Sequence, residues 1–225
     1  MNKKITHITM LALIAIQVAL GVHLYPYFPD VMATHWNAEG VVNGYMPKFW
    51  GVFMMPIIGV VFYLLYLVIP RIDPRAANIA EFRKTFNLFW VGLMVFFFYI
   101  ASLTNIWNLG VHFDFTQAVA PAVGMLFYFI GNLMLKTKRN FFLGIRTPWT
   151  LSSDIVWDKT HKLGGGLFKL SGILTLGATL INGTLAFATL ITSVVLSAIV
   201  SIVYSYKVFK KLAQGTDTTA EEVSK

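Results

Sequence analysis

Six apolar stretches alternate with polar ones along the chain. Residues 5–24 are apolar apart from His7, Gln17, His23 and two threonines. About 20 such residues suffice to carry a helix across a ~30 Å hydrocarbon layer. The later stretches are 50–69, 86–104, 116–135, 164–181 and 184–206. Pro56 lies inside the second and is expected to kink it, which membrane helices tolerate. Pro70 and Arg71 are expected to end that span, and Pro121 falls near the start of the fourth. The pair Asn182-Gly183 reads as a tight turn between the last two. The first stretch follows Lys3 and Lys4 and runs directly into HLYPYFPD. It therefore reads as an uncleaved helix and not as a signal peptide ending in small residues.

The polar intervals differ in character. Residues 25–49 contain Pro26, Pro29, Gly40, Gly44 and Pro47 and read as a structured loop. Residues 71–84 form a short charged connection, and 105–115 a short loop without Lys or Arg. Residues 136–163 form the longest polar segment between spans, and 207–225 a polar tail expected to be disordered.

Composition fixes the class. Apolar residues make up 56% of the chain, charged residues 12%, and the mean hydropathy is +0.66. A soluble domain carries roughly 25% charged residues. The expected fold is an all-α integral membrane protein, a polytopic bundle of about six transmembrane helices. Without cysteine there can be no disulfide and no thiolate metal site.

The net charge of +8 comes from Lys and Arg confined to alternate connections. Lys3 and Lys4 lie on one side with four such residues in 71–84, six in 136–163 and three just after the last span. The other side has only Lys48. The positive-inside rule then puts both termini, loop 136–163 and tail 207–225 in the cytoplasm, and loop 25–49 outside. The basic balance forms no stripe or recognition helix, so no direct nucleic-acid contact is expected.

Two loops carry distinctive residues. The outer one holds His35, Trp36, Asn37 and Gly40, followed by Asn43, Gly44 and Tyr45. It reads either as a cover over the helix ends with aromatic anchors or as a recognition surface. The inner one reads LGIRTPWTLSSDIVWDKTHKLGGG, residues 143–166. Pro148 disfavours helix at Thr147. Ser152 or Ser153 can cap a short helix starting at Asp154, with Trp157 and His161 on one face and an Asp158–Lys162 pair beside them. That helix reads either as interfacial, with Trp157 at headgroup level, or as a docking or coupling site. The three glycines, 164–166, permit a sharp turn or close helix packing.

In these two loops the chain resembles the SdpI family of bacterial membrane immunity proteins. HWNxxG follows the first span, and GIRTPWTLxSxxVWxKTHxxGG lies between later ones. The resemblance covers about residues 10–210. It implies a multi-pass plasma-membrane protein protecting its cell from a secreted toxic peptide. It also implies a cytoplasmic repressor protein, sequestered at the membrane when toxin is present, as a second partner beside the lipid bilayer. The matching positions are His35, Trp36, Asn37 and Gly40, and Gly144, Arg146, Thr147, Pro148, Trp149, Trp157, Lys159, Thr160 and His161. Membership of the motifs is all that carries over; no catalytic role does.

Other chemistries find less support. His23, His35 and His112 with Asp30, Glu39 and Asp114 could form a His/carboxylate site, but they come from separate loops and lack a ligand spacing. No metal and no cofactor is expected. Arg146, Asp154, Asp158 and His161 could make an acid–base site at the inner face, yet no nucleophile or phosphate-loop motif accompanies them. A transporter would place ionisable groups near a span's centre, and none lies clearly there. A transporter or a membrane-surface enzyme using residues 144–162 stays as the alternative to a non-enzymatic immunity protein.

Overall fold

The computed structural model describes residues 1–215. Helix α1 (Lys3–Leu24) leads through a 3₁₀ turn, Tyr25–Tyr27, into a hairpin of β1 (Val31–Trp36) and β2 (Val42–Pro47). Then come α2 (Lys48–Ile72), α3 (Ala76–Glu81), α4 (Arg83–Asn108), α5 (Phe115–Met134), α6 (Pro148–Ser152), α7 (Asp154–Thr179) and α8 (Gly183–Ala213). Four of the long helices start with the same kind of side-chain cap. Asn2, Asp114, Ser153 and Asn182 each accept the backbone N–H three residues on, satisfying donors that have no partner inside the helix.

Five helices, α1, α2, α4, α5 and α8, are long and apolar enough to cross a membrane. Their outer faces expose large apolar side chains, among them Leu11, Ile57, Leu64, Val95, Val195 and Ile199. Such continuous apolar surface suits lipid and not water. The protein is a multi-pass, mostly helical membrane protein. The fifth expected span, 164–181, lies in α7, which is rich in Gly, Ser and Thr and is not among those five. It nonetheless runs antiparallel to α5 along most of its length. A Cβ on Gly124 would lie 3.0 Å from the Gly172 carbonyl oxygen, and one on Gly131 2.6 Å from that of Gly165. At the far end the Gln117 side chain donates to the Thr179 carbonyl. Each step of seven residues along α5 is thus matched by seven back along α7. Close approach through small residues is how membrane helices gain contact without a hydrophobic drive.

The helices form two halves. In α5/α7/α8 the backbones nearly touch, and α8 meets its neighbours through small residues, with Ser171 and Ser197 hydroxyls 3.1 Å apart. In α1/α2/α4 the packing is by large side chains: Met10, Tyr66, Phe86, Trp90 and Met94 are buried together.

Several expectations need correction. The 25–49 loop contains a β-hairpin and the 71–84 connection a short helix, α3. Helix α2 passes Pro70 and ends at Ile72. Residues 164–166 do not interrupt α7, so of the two roles offered for these glycines the structure uses close packing. Helix α8 continues through Lys207 to Ala213, the start of the expected disordered tail; residues 216–225 lie outside the described ones.

Candidate functional site

The hairpin is fastened over the ends of α4, α5 and α8. The Asn108 carboxamide accepts from Ala33 N–H at 2.8 Å and donates to Ala33 C=O at 2.9 Å. The Thr116 hydroxyl donates to Asn37 C=O at 3.0 Å, and that of Thr184 reaches Ala38 C=O. Asn37 builds the turn itself, its side-chain oxygen accepting from Val41 N–H at 2.9 Å. Gly40 has φ +74°, and a Cβ there would sit 2.6 Å from the Asp114 carboxylate, so two constraints demand glycine. Trp36 lies flat on Phe115, ring centres 3.7 Å apart, and meets Trp107 edge-on at 5.6 Å. Tyr45, Phe49 and Trp50, by contrast, are exposed. His35 is exposed and its Nδ1 lies 2.5 Å from the Asn43 carboxamide oxygen.

Beneath this hairpin is a cavity of about 510 Å³ between the two halves. His35, Trp36, Asn37 and Asn43 wall one side, with Met55, Ile100, Phe115, Val123, Phe187 and Leu190 opposite and below. The Trp36 indole N–H is buried without an acceptor. A mostly apolar cleft with a few polar groups at its mouth is the usual form of a ligand site.

The second motif lies at the other end of the bundle and is bound up in itself. Thr147 caps α6 in a reciprocal box with Thr150, Pro148 occupies the first turn, and Trp149 packs on Tyr206 of α8. The Thr147 hydroxyl lies 3.1 Å from that of Ser205. Trp157 is 1% exposed, and its indole donates to Thr137 C=O at 3.1 Å. His161 stacks on it with ring centres 3.9 Å apart. His161 Nε2 accepts from Ile145 N–H at 3.0 Å, so Nδ1 carries the proton and donates to Trp157 C=O at 2.8 Å. Burial pushes the His161 pKa down to about 4, although the bond to Trp157 opposes this. Gly144 has φ +115°, and a Cβ there would lie 2.2 Å from His161 Nε2. The Thr160 hydroxyl is buried and has no partner among the described residues. Lys159 is half-buried, and Arg146, which is exposed, donates to Phe141 C=O at 2.6 Å.

Asp154 pairs with Arg139 at 2.7 Å, and partial desolvation pushes the Asp158 pKa up, with Lys138 opposing and Asp154 adding. No group of three or more metal-ligating side chains occurs among the described residues. Sequence reasoning missed Asn108, Thr116 and Phe115, whose partners lie more than 70 residues away. It also missed Asn140, fully buried, whose carboxamide accepts from Phe142 and Leu143 N–H. An Asn before an aromatic pair was a readable signal for such a turn.

Both motif-bearing regions have relatives. Residues 136–205 match the SdpI/YfhL protein family, and residues 12–60 match the domain of unknown function DUF1648. Immunity protein SdpI of Bacillus subtilis (strain 168) is 22% identical over 207 residues, covering 92% of this chain and 97% of the relative. The chain is thus similar to the SdpI family over residues 136–205 and to this immunity protein along nearly its whole length. No solved structure matches it. The two matches divide the motifs between them. DUF1648 takes in the hairpin, and the SdpI match takes in α6, α7 and most of α8.

Proposed function

We propose that this chain is a plasma-membrane immunity protein protecting its cell from a secreted toxic peptide, which it engages at the cleft beneath the hairpin. The immunity relative, aligned along nearly the whole chain, supports the first part. The cleft carries the second, because the HWN motif forms its wall and an amphipathic peptide that partitions into the bilayer reaches an apolar site opening between helices. The Lys/Arg distribution supports an outward hairpin and cytoplasmic termini. The 144–161 region then faces the cytoplasm, and a repressor protein sequestered there links toxin to expression. An acid–base role for His161 is disfavoured, since both ring nitrogens are engaged in structural bonds.

The test is survival of a toxin-sensitive strain. The wild-type chain raises the tolerated peptide concentration. Val123→Trp or Leu190→Trp, which fill the cleft, lower it about tenfold at equal membrane abundance, the loss expected for ~1.4 kcal/mol of binding. Unchanged protection with the cleft filled removes the site assignment. No protection against any peptide encoded nearby removes the immunity reading. Recruitment of a neighbouring helix-turn-helix protein to the membrane, with and without peptide, tests the repressor arm.

A further inference from the structure

A second polar cleft, of about 540 Å³, lies at the end of the bundle away from the hairpin, where α1 and α4 begin and α2 ends. Lys3, His7, Arg71 and Arg83 line it, with Leu67, Pro70 and Ile79 as apolar wall; among the described residues no carboxylate does. Asp73, two residues from Arg71, is occupied by the N–H groups of Arg75 and Phe141. Glu81, at the end of α3, is exposed and does not line the cleft.

Arg83 is fixed from behind. Its Nε donates to the Asn87 carboxamide oxygen at 3.1 Å and Nη2 to the Tyr66 hydroxyl at 3.3 Å. The guanidinium lies over the Tyr66 and Phe86 rings. Asn87, Tyr66 and Phe86 are all within 1% of full burial. Asn87 also donates to Met1 C=O, and His7 Nδ1 meets the Tyr63 hydroxyl at 3.0 Å. A guanidinium held this way keeps donors for a further partner and loses little entropy in meeting one. Beside the cleft, α1 and α2 expose Ile8, Leu11, Val68 and Ile72.

We propose that this cleft binds the phosphate of an anionic phospholipid headgroup, with Arg83 and Arg71 as its principal ligands, Lys3 adding charge, and the acyl chains lying on the apolar faces of α1 and α2. Charge complementarity and a position at the helix ends, where headgroups lie, argue for it. The proposal does not rest on the immunity reading.

Protein purified in zwitterionic detergent is offered phosphatidylglycerol or phosphatidylcholine. Lipid retained is counted by native mass spectrometry, and thermal stability is followed in parallel. Phosphatidylglycerol is retained selectively and raises the midpoint. The Lys3→Gln/Arg71→Gln pair lowers its retention about tenfold or more. The Lys162→Gln/Lys207→Gln pair, which removes equal charge from the groove between α7 and α8, lowers it less than about twofold. Arg83→Lys, which keeps the charge but not the fork, behaves like the first pair. Inorganic phosphate is the second arm. If it alone stabilises the protein and does so through Arg71 and Lys3, the site takes soluble phosphate; if only the lipid does, the headgroup is the source. No selectivity for phosphatidylglycerol and no response to phosphate overturns the proposal. Equal losses from the two glutamine pairs, the mark of general surface attraction, overturn it too.

Discussion

His161 shows how much a single motif residue is asked to do. Its two nitrogens join the 143–147 turn to α7, one accepting from Ile145 and the other donating to Trp157. A proton added at Nε2 would remove the acceptor that Ile145 needs. The folded pKa of about 4 lies below the ordinary 6.5, so between those values the unfolded chain binds more protons than the folded one. The contribution is therefore complete above pH 6.5 and is lost as pH falls toward 4, by roughly 3 kcal/mol at most. Melting midpoints in detergent at pH 7.5 and 5 should fall accordingly, and His161→Phe should flatten that slope while lowering stability at both. Part of this was readable beforehand. Trp157 and His161 were placed on one face by their spacing of four, and Thr147 was denied a helix by Pro148. The burial of both rings was not, because the groups that cover them, Thr137 and Gly144, sit in a loop with no periodicity to place it.

Among the elements, α5 and α7 are specified by what they lack. Gly165 and Gly172 face carbonyls of α5, whereas Gly166 and Gly177 meet nothing within 4 Å. Gly165→Ala should destabilise the protein by about 1–3 kcal/mol, the usual toll of overpacking. Gly166→Ala should be neutral or slightly stabilising. Thermal unfolding of the two variants side by side checks this, and equal effects would deny the seam. The three consecutive glycines read equally well as a turn, since only the partner helix distinguishes the two roles. The hairpin was hidden for another reason. Met32 and Ala33 are buried as neighbours, and the register shifts after Ala33 and again after His35, so no simple alternation marks the strand.

For the whole molecule, sidedness follows from charge and is open to direct measurement. The chain has no cysteine, so single substitutions report without background. Glu39→Cys at the hairpin tip should react with an impermeant maleimide on intact cells. Asp158→Cys should react only after permeabilisation. The reverse pattern would invert the protein. The membrane class and the two distinctive ends were legible from composition and loop residues. Their connection was not: Asn108 to Ala33 and Asp73 to Phe141 are pairings across 75 and 68 residues, set by the way the halves assemble.

The contrast between those halves has a mechanical consequence. Where backbone meets backbone, as along Gly124, Gly131, Gly165 and Gly172, nothing can yield without breaking helix geometry. Where Met10, Met94 and the aromatic side chains fill the space, rotamers can yield. A guest wedged into the cleft between them would meet one stiff wall and one compliant wall. Displacement would pass into α1, α2 and α4, and so to the helix ends around Arg83, while α5, α7 and α8 stayed in place as the anvil.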